Sequence, residues 1–248
     1  MKILVCISHV PDTTSKINFT EGDSQFDKNG VQFVINPNDE FGLTRAMWFK
    51  EKQGASVDVV TVGEADVEPT LRKALAIGAD NAIRVNTPAT DGFQVAKELA
   101  KVVEDGSYDL VIAGRESIDY NGGMVPGMLA KLIKANFINT CVGLEIDGDK
   151  ATATREIDGG KETLSTNLPL VIGGQKGLVE ESDLKIPNMR GIMMARKKPL
   201  NVVDPVEAEK RSEAVKFEKP APKGDVKLVD ADNLDELIDL LHNDAKAI

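Results

Sequence analysis

Short apolar runs alternate with amphipathic segments through the first half of the chain. Four runs rich in β-branched residues lie at 2–7, 57–63, 81–85 and 110–114. Continuous apolar runs of this length are typical of strands buried on both faces of a parallel sheet. The intervening segments 40–52, 68–77 and 91–103 repeat apolar residues at helical spacing. This alternation predicts an α/β fold with a doubly wound, mostly parallel sheet.

The second half of the chain is less regular. Two strand-like stretches, 150–156 and 162–166, flank an Asp-Gly turn at 158–159, which is a strong hairpin signal. A further strand is predicted at 168–172, and helices at 127–133 and 233–242. The run K-P-A-P-K-G at 219–224 predicts a stiff, extended linker. We therefore expect an α/β domain over residues 1–198 and an extended C-terminal arm over residues 199–248.

Composition and charge exclude several classes of protein. The chain has 248 residues, 42% of them hydrophobic, and a net charge of -10, so a core can form and phosphate backbones of nucleic acids are repelled. No apolar run approaches the roughly 20 residues that cross a bilayer, and the N-terminus lacks the features of a signal peptide. We expect no nucleic acid partner, no membrane insertion and a cytoplasmic location, or the mitochondrial matrix in a eukaryote.

Three loops follow predicted strands and begin at Ser8, Gly63 and Gly114. In open α/β sheets, ligands bind outside the carboxyl ends of the strands, near a switch in strand order. We expect these three loops to converge there.

The loop 114–126 combines glycines with a following helix. Free backbone amides at a helix N-terminus suit a phosphate, although the spacing is neither a Walker A loop nor G-x-G-x-x-G. A plain turn remains an alternative. Before the first long helix, Asn38 or Asp39 is expected as the N-cap, while the alternative is that Asn36 and Asn38 touch a nucleotide.

Few residues suggest catalysis. Cys6 and Cys141 are interpreted as small buried hydrophobes, and two cysteines cannot build a zinc site. His9 is interpreted as a loop residue without triad partners, and we predict neither catalytic residues nor a metal. The methionine-rich stretch at 189–194 lies beside several cations and is interpreted either as a docking loop or as core filling.

Several segments, taken together and in this order, resemble the beta subunit of electron transfer flavoprotein (ETF). They are I-N-P at 35–37, A-I-G-A-D at 76–80, A-G-R at 113–115, R-E-I-D-G-G at 155–160 and A-R-K-K at 195–198. The resemblance covers essentially the whole chain. It implies an adenine nucleotide alpha hydrolase-like fold.

The resemblance also implies a function. Such a beta subunit forms a heterodimer with an ETF alpha subunit, binds AMP structurally and helps to hold the FAD of the alpha subunit. Electrons pass from acyl-CoA dehydrogenases or other flavin dehydrogenases to ETF-quinone oxidoreductase. The beta subunit is an electron carrier rather than an enzyme, and its C-terminal arm contacts the alpha subunit.

Matching segments carry the family's contact residues onto this chain. The implied nucleotide contacts are Cys6, Asn36, Pro37, Asn38, Asp39, Glu64, Gly114, Arg115, Ser117, Asp119, Asn121, Gly122, Gly123, Met124 and Val125. Met189, Ile192 and Met193 are implied to bind the dehydrogenase, and Glu156 to contact the alpha subunit.

One departure from the family keeps the ligand open. Positions 123–127 read G-M-V-P-G where AMP-binding members carry D-x-N-Q-T-G-Q. The alternative to AMP is a second FAD, as in electron-bifurcating members. Two other readings are an adenylating ligase and a nucleotide-binding module without redox chemistry.

Overall fold

The computed structural model describes residues 1–222 and 224–248. The predicted linker at 219–224 includes Lys223, which lies outside the described residues. The strands are β1 (Lys2–Cys6), β2 (His9–Pro11), β3 (Phe19–Thr20), β4 (Gln25–Phe26), β5 (Phe33–Ile35), β6 (Ser56–Val62), β7 (Asn81–Val85), β8 (Leu110–Gly114), β9 (Asn136–Asp147), β10 (Lys150–Ile157), β11 (Gly160–Asn167), β12 (Leu170–Gly174) and β13 (Leu200–Val203).

The helices are α1 (Pro37–Gln53), α2 (Glu68–Ile77), α3 (Gly92–Gly106), α4 (Val125–Leu132), α5 (Met189–Ala195) and α6 (Leu234–Asp239). Helices α1 to α5 lie between these strands, and α6 follows the last of them. Short 3₁₀ turns lie at Ala65–Val67 and Glu181–Asp183, and a π-helical turn at Leu240–Asp244 follows α6. In the part of the chain that the structure describes, every helix is too short or too polar to cross a membrane.

Among the described residues, nine strands form one sheet in the order β11-β10-β9-β12-β8-β1-β6-β7-β13. The strands from β9 to β13 in this order pair in parallel, whereas β10 and β11 are antiparallel. The four predicted apolar runs form the neighbours β8, β1, β6 and β7. The prediction of a doubly wound, mostly parallel sheet is confirmed.

The core has two layers because successive side chains of a strand point to opposite faces. In β1, Ile3 and Val5 join one buried cluster together with residues of α1 and α2. Leu4 and Cys6 point the other way and join a second cluster with residues of α3 and α4. Helices therefore cover both faces of the central part of the sheet, which explains why β1, β6, β8 and β12 are apolar almost throughout.

The start of α1 differs from the prediction. Asn36 is the N-cap residue and Pro37 occupies the first turn, so the expected N-cap at Asn38 or Asp39 is wrong. Proline at this position is favourable because its fixed φ suits a helix and its missing amide needs no acceptor there. The helix ends at Gln53, and the following Gly54, with φ 67°, adopts the left-handed conformation that glycine tolerates best.

The hairpin of β10 and β11 is confirmed, and the turn between them includes Asp158 and Gly159, with Gly159 at φ 83°. Two strands of the sheet, β9 and β13, were not predicted. β13 pairs with β7 at the sheet edge. It therefore adds the first residues of the predicted arm to the sheet, and the division at residue 198 stays a prediction.

After β13, the segment 206–217 runs over the surface of the α/β domain. The amide of Val206 donates to Glu98 on α3 at 2.9 Å, and the hydroxyl of Ser212 donates to Asp91 at 2.5 Å. Farther along, the ring of Phe217 stacks on Phe19 at a centroid distance of 5.2 Å. These contacts hold the segment 206–217 against the first half of α3 and against β3.

Candidate functional site

The order of strands in the sheet switches direction at β1. β6 lies on one side of β1 and β8 on the other. The crevice outside the carboxyl ends of β1 and β8 is therefore the position at which open α/β sheets place ligands. The loop after β8 and the start of α1 both lie at this position.

Asp39 closes the crevice from within. One carboxylate oxygen accepts a hydrogen bond from the amide of Ser8 at 2.7 Å, and the other accepts one from the amide of Gly114 at 2.7 Å. The Asp39 side chain is 2% exposed. Burial raises the pKa of Asp39 to about 7, while the donating amides of Ser8 and Gly114 oppose this rise.

Asn36 and Asn38 hold the loop that follows β8. Their side-chain amides donate to the carbonyl of Glu116 at 3.0 and 3.1 Å, and the side-chain oxygen of Asn36 accepts from the amide of Ile118 at 3.3 Å. These interactions satisfy the buried polar atoms of Asn36. Asn36, Asn38 and Asp39 thus attach the start of α1 to the ends of β1 and β8.

Of the three loops that were predicted to converge, the loops that begin at Ser8 and Gly114 are in contact through Asp39. Ser8 and Gly114 meet at Asp39, whereas Gly63 bonds toward β7: its amide donates to Val85 at 3.0 Å and its carbonyl accepts from Arg84 at 3.0 Å. Glu64 is exposed in the turn that follows.

The remainder of the loop, residues 115–124, becomes progressively more exposed. The carbonyl of Ser117 accepts from the amide of Asn121 at 2.8 Å, and the Asp119 carboxylate accepts from the amide of Tyr120 at 3.0 Å. Asn121 and Gly123 have φ values of 49° and 60°. Residues 121–124 therefore present an irregular, open stretch of backbone to solvent.

α4 begins at the end of this loop. Met124 is its N-cap residue, and in the described chain no side chain caps the helix. The first amides of an α-helix lack intrahelical acceptors, and Pro126 has no amide hydrogen. The amides of Val125 and Gly127 therefore form an anion-favouring end, and the side chain of Met124 packs over Gly92 beside it.

A cavity of 230 Å³ lies next to the loop. Pro37 and Ile118 form part of its wall, and the ion pair between Lys73 and Glu40, at 2.9 Å, lines it. The cavity therefore lies between the start of α1 and the loop after β8.

Cys6 and His9 lie on the first strands rather than at a reactive centre. Cys6 is buried in β1, and burial, together with the neighbouring Asp39, raises the pKa of its thiol. His9 lies in β2, so its interpretation as a loop residue is wrong. Its ring stacks on Phe33 at 4.3 Å and bonds to Thr70 at 2.8 Å, and burial lowers its pKa, which keeps the imidazole neutral near pH 7.

Sequence patterns did not point to Gln175, which follows β12 in the same edge of the sheet. Arg115 donates to the Gln175 side chain at 3.2 Å and to Glu116 at 2.6 Å. Gln175 in turn donates to the exposed carboxylate of Glu156. The available signal was its position directly after the strand-ending pair Gly173-Gly174.

The predicted dehydrogenase-binding residues lie together on α5. Met189 is 76% exposed, Met193 67% and Ile192 42%, so these apolar side chains project into solvent. Met194 is 50% exposed as well, so the interpretation that the methionines of this stretch fill the core is wrong. Within residues 1–222 and 224–248, no group of three or more His, Cys, Asp or Glu side chains could hold a metal ion.

The fold and this crevice define a doubly wound α/β protein with a candidate ligand site at its switch point. A family model described as the electron transfer flavoprotein domain matches residues 23–208. The chain therefore belongs to the electron transfer flavoprotein family, as its motifs predicted.

Three curated relatives match most or all of the chain. The electron transfer flavoprotein subunit beta of Bacillus subtilis is 34% identical over 262 residues, which cover 100% of both chains. The protein of the same name from Bradyrhizobium diazoefficiens is 34% identical and covers 99% of each chain. That from Syntrophomonas wolfei is 34% identical over 90% of this chain and 87% of its own.

Proposed function

We propose that this chain is the beta subunit of a heterodimeric electron transfer flavoprotein. The likeness over the whole length to proteins of that name supports the assignment. In this proposal the chain is not itself an enzyme. It takes part in electron transfer from acyl-CoA dehydrogenases or other flavin dehydrogenases to ETF-quinone oxidoreductase, in the cytoplasm or, in a eukaryote, the mitochondrial matrix.

The nucleotide-binding part of the proposal rests on the uncapped N-terminus of α4. This helix begins at the end of the loop 115–124, which Asn36 and Asn38 hold in place. The amides of Val125 and Gly127 suit a phosphate, and Gly122 and Gly123 allow a ligand to approach the backbone. Glu116 is paired with Arg115, which reduces its repulsion of an anion. These residues fit the phosphate of a structural AMP, or of a second FAD in its place.

The FAD that carries electrons is held mainly by the alpha subunit in this proposal. When bound, the flavin supplies the redox chemistry. The contribution of this chain is to bind and orient the alpha subunit. Glu156, which Gln175 already orients, and the segment 199–248 contact that subunit. The exposed apolar face of α6, with Leu234, Leu237 and Ile238, favours such a contact.

The first test is co-expression with the candidate alpha subunit, followed by denaturation and quantification of released nucleotides. One FAD and one AMP per heterodimer would support a simple electron shuttle with a structural nucleotide in this chain. Two FAD molecules and no AMP would place a flavin here and favour bifurcation. If the two chains do not co-purify, the heterodimer proposal fails.

The docking role of α5 has a matched test. Ile192 and Ile17 are exposed to similar extents, 42% and 38%, but only Ile192 lies on α5. Ile192→Ser is expected to raise the KM for a reduced acyl-CoA dehydrogenase about tenfold, whereas Ile17→Ser leaves it unchanged. Equal KM values for both variants would remove α5 from the docking surface.

A further inference from the structure

α5 is too short to be stable by itself, although the Asn188 side chain caps its N-terminus. It has seven residues, with Gly191 near its middle. Isolated helices of this length do not persist in water, and an interior glycine destabilises a helix further. Its apolar side chains at Met189 and Met193 point into solvent. Contacts with the rest of the domain must therefore hold it in place.

Arg72 of α2 binds the C-terminal end of α5. One nitrogen of its guanidinium donates to the carbonyl of Ala195 at 2.8 Å and to the carbonyl of Lys198 at 2.8 Å. Carbonyl groups at the end of a helix lack intrahelical donors and carry partial negative charge. The arginine thus satisfies the end of α5 and the turn that follows it.

Lys198, just after α5, makes the reverse contact. Its ammonium group donates to the carbonyls of Leu75 and Ala79, at 3.0 and 2.6 Å, at the C-terminal end of α2. A cation from α2 therefore binds the end of α5, and a cation that follows α5 binds the end of α2. We name this pair of interactions the reciprocal clamp of Arg72 and Lys198.

The backbone contact between the helices is close enough to depend on glycine. A Cβ at Gly191 would lie 2.3 Å from the carbonyl oxygen of Ala76, so no larger residue fits without moving α5. Ala195 is buried at the same interface. The inward face of α5 is thus small and tightly packed, and the clamp holds its end.

We propose that Arg72 and Lys198 are positioning residues that keep α5 folded and oriented before a partner arrives. The inference rests on the proposed docking function of α5. A surface that is already ordered loses less conformational entropy on binding. The clamp would therefore lower the KM for the dehydrogenase without touching the flavin or the partner.

Hydrogen–deuterium exchange of the heterodimer tests the clamp without any dehydrogenase. Loss of charged hydrogen bonds in Arg72→Gln or Lys198→Gln is expected to speed amide exchange in residues 189–197 by about tenfold or more. Lys198→Arg keeps the cation and is expected to restore slow exchange. Lys101→Gln is the control, because Lys101 is exposed on α3 and, among residues 1–222 and 224–248, forms its ion pair with the nearby Asp105. Unchanged exchange in both glutamine variants would overturn the clamp.

Steady-state kinetics then test its consequence, with an acyl-CoA dehydrogenase reduced by its acyl-CoA substrate as the probe. The glutamine variants are expected to raise KM severalfold at constant kcat, and Lys198→Arg to reverse the change. Faster exchange with an unchanged KM would overturn the positioning role. If Ile192→Ser also leaves KM unchanged, the proposed docking function of α5 is wrong instead. The hydrogen–deuterium exchange of residues 189–197 then decides by itself whether the clamp holds α5.

Discussion

The amide of Gly114 donates a hydrogen bond of 2.7 Å to the Asp39 carboxylate, and this bond joins the end of β8 to the first turn of α1. The other oxygen of the same carboxylate receives the amide of Ser8 after β1. A single buried side chain thus holds together the two strand ends between which the sheet changes direction. The geometry of the candidate site depends on it.

Gly114→Ala is expected to destabilise the protein by about 1 to 3 kcal/mol through overpacking. A Cβ would lie 2.3 Å from the Asp39 carboxylate oxygen and 2.9 Å from the Cβ of Asn38. Urea unfolding measures the change. Gly160→Ala is the matched control, because the described residues leave open space around Gly160. Equal unfolding midpoints for the two variants would show that the crevice can relax.

Asp39→Asn is expected to change how stability depends on pH. The native pKa of Asp39, about 7, lies above its ordinary value of 3.8, so the folded state binds this proton more tightly than the unfolded state. The stabilisation that the protonated Asp39 side chain gives the folded state is fully present below about pH 4 and is lost as the pH rises through about 7.

Urea unfolding of both proteins at about pH 5 and about pH 8 measures this difference. The wild-type advantage over Asp39→Asn is expected to be larger at the lower pH. An equal difference at both values would mean that the two donated amides keep the carboxylate ionised throughout.

Asn36→Ala is expected to loosen the loop after β8 and to reduce the nucleotide retained per heterodimer. The variant leaves the carbonyl of Glu116 and the amide of Ile118 each without one partner, which costs about 1 to 3 kcal/mol. Asn29→Ala is the control, since Asn29 is exposed and bonds to the nearby Asp27. Full nucleotide content in Asn36→Ala would contradict a role for this loop in binding.

Ser212→Ala is expected to release the segment 206–217 from α3. Donation by the Ser212 hydroxyl is the main reason that the pKa of Asp91 falls to about 2, and Asp91 also caps α3 through the amides of Phe93 and Gln94. Because this pKa is depressed, its stabilisation is present above about pH 4 and is lost as the pH falls toward 2.

The variant is expected to lose on the order of 1 kcal/mol at neutral pH and to show faster hydrogen exchange in residues 206–217. The exposed Ser165 provides the control in Ser165→Ala. If exchange in the segment does not change, the stacking of Phe217 on Phe19 is sufficient to hold it.

The central strands could be predicted because burial on both faces leaves a continuous apolar run. β9 lacks this signature. It pairs with β12 on one side and β10 on the other, and a bulge near Thr140, which has φ 49°, interrupts its alternation. β13 is a four-residue edge strand that follows Pro199, so its pairing with β7 depends on tertiary contacts that a local pattern does not contain.

The sequence predicted a candidate site, but the structural roles of the residues in it could not be predicted. Strand ends and glycines indicated the edge of the sheet at which Ser8, Asp39 and Gly114 meet. The roles of Asn36 and Asp39 depend on partners about 80 residues away, at Glu116 and Gly114. A side chain that holds a loop and one that contacts a ligand have the same local pattern, so the sequence predicted ligand contacts at these positions without revealing their hydrogen bonds within the fold.

In α5, the residues that hold the helix differ from those that face solvent, and this difference affects how the sequence of such a protein can diverge. The contacts that hold the helix use backbone carbonyls, Gly191 and two cations, whereas the outward side chains of Met189, Ile192 and Met193 contribute little to holding it. Substitutions at those three positions can therefore accumulate with little effect on folding. Under the proposed docking role of α5, selection could therefore change which proteins this surface binds while the residues that hold the helix stay constant.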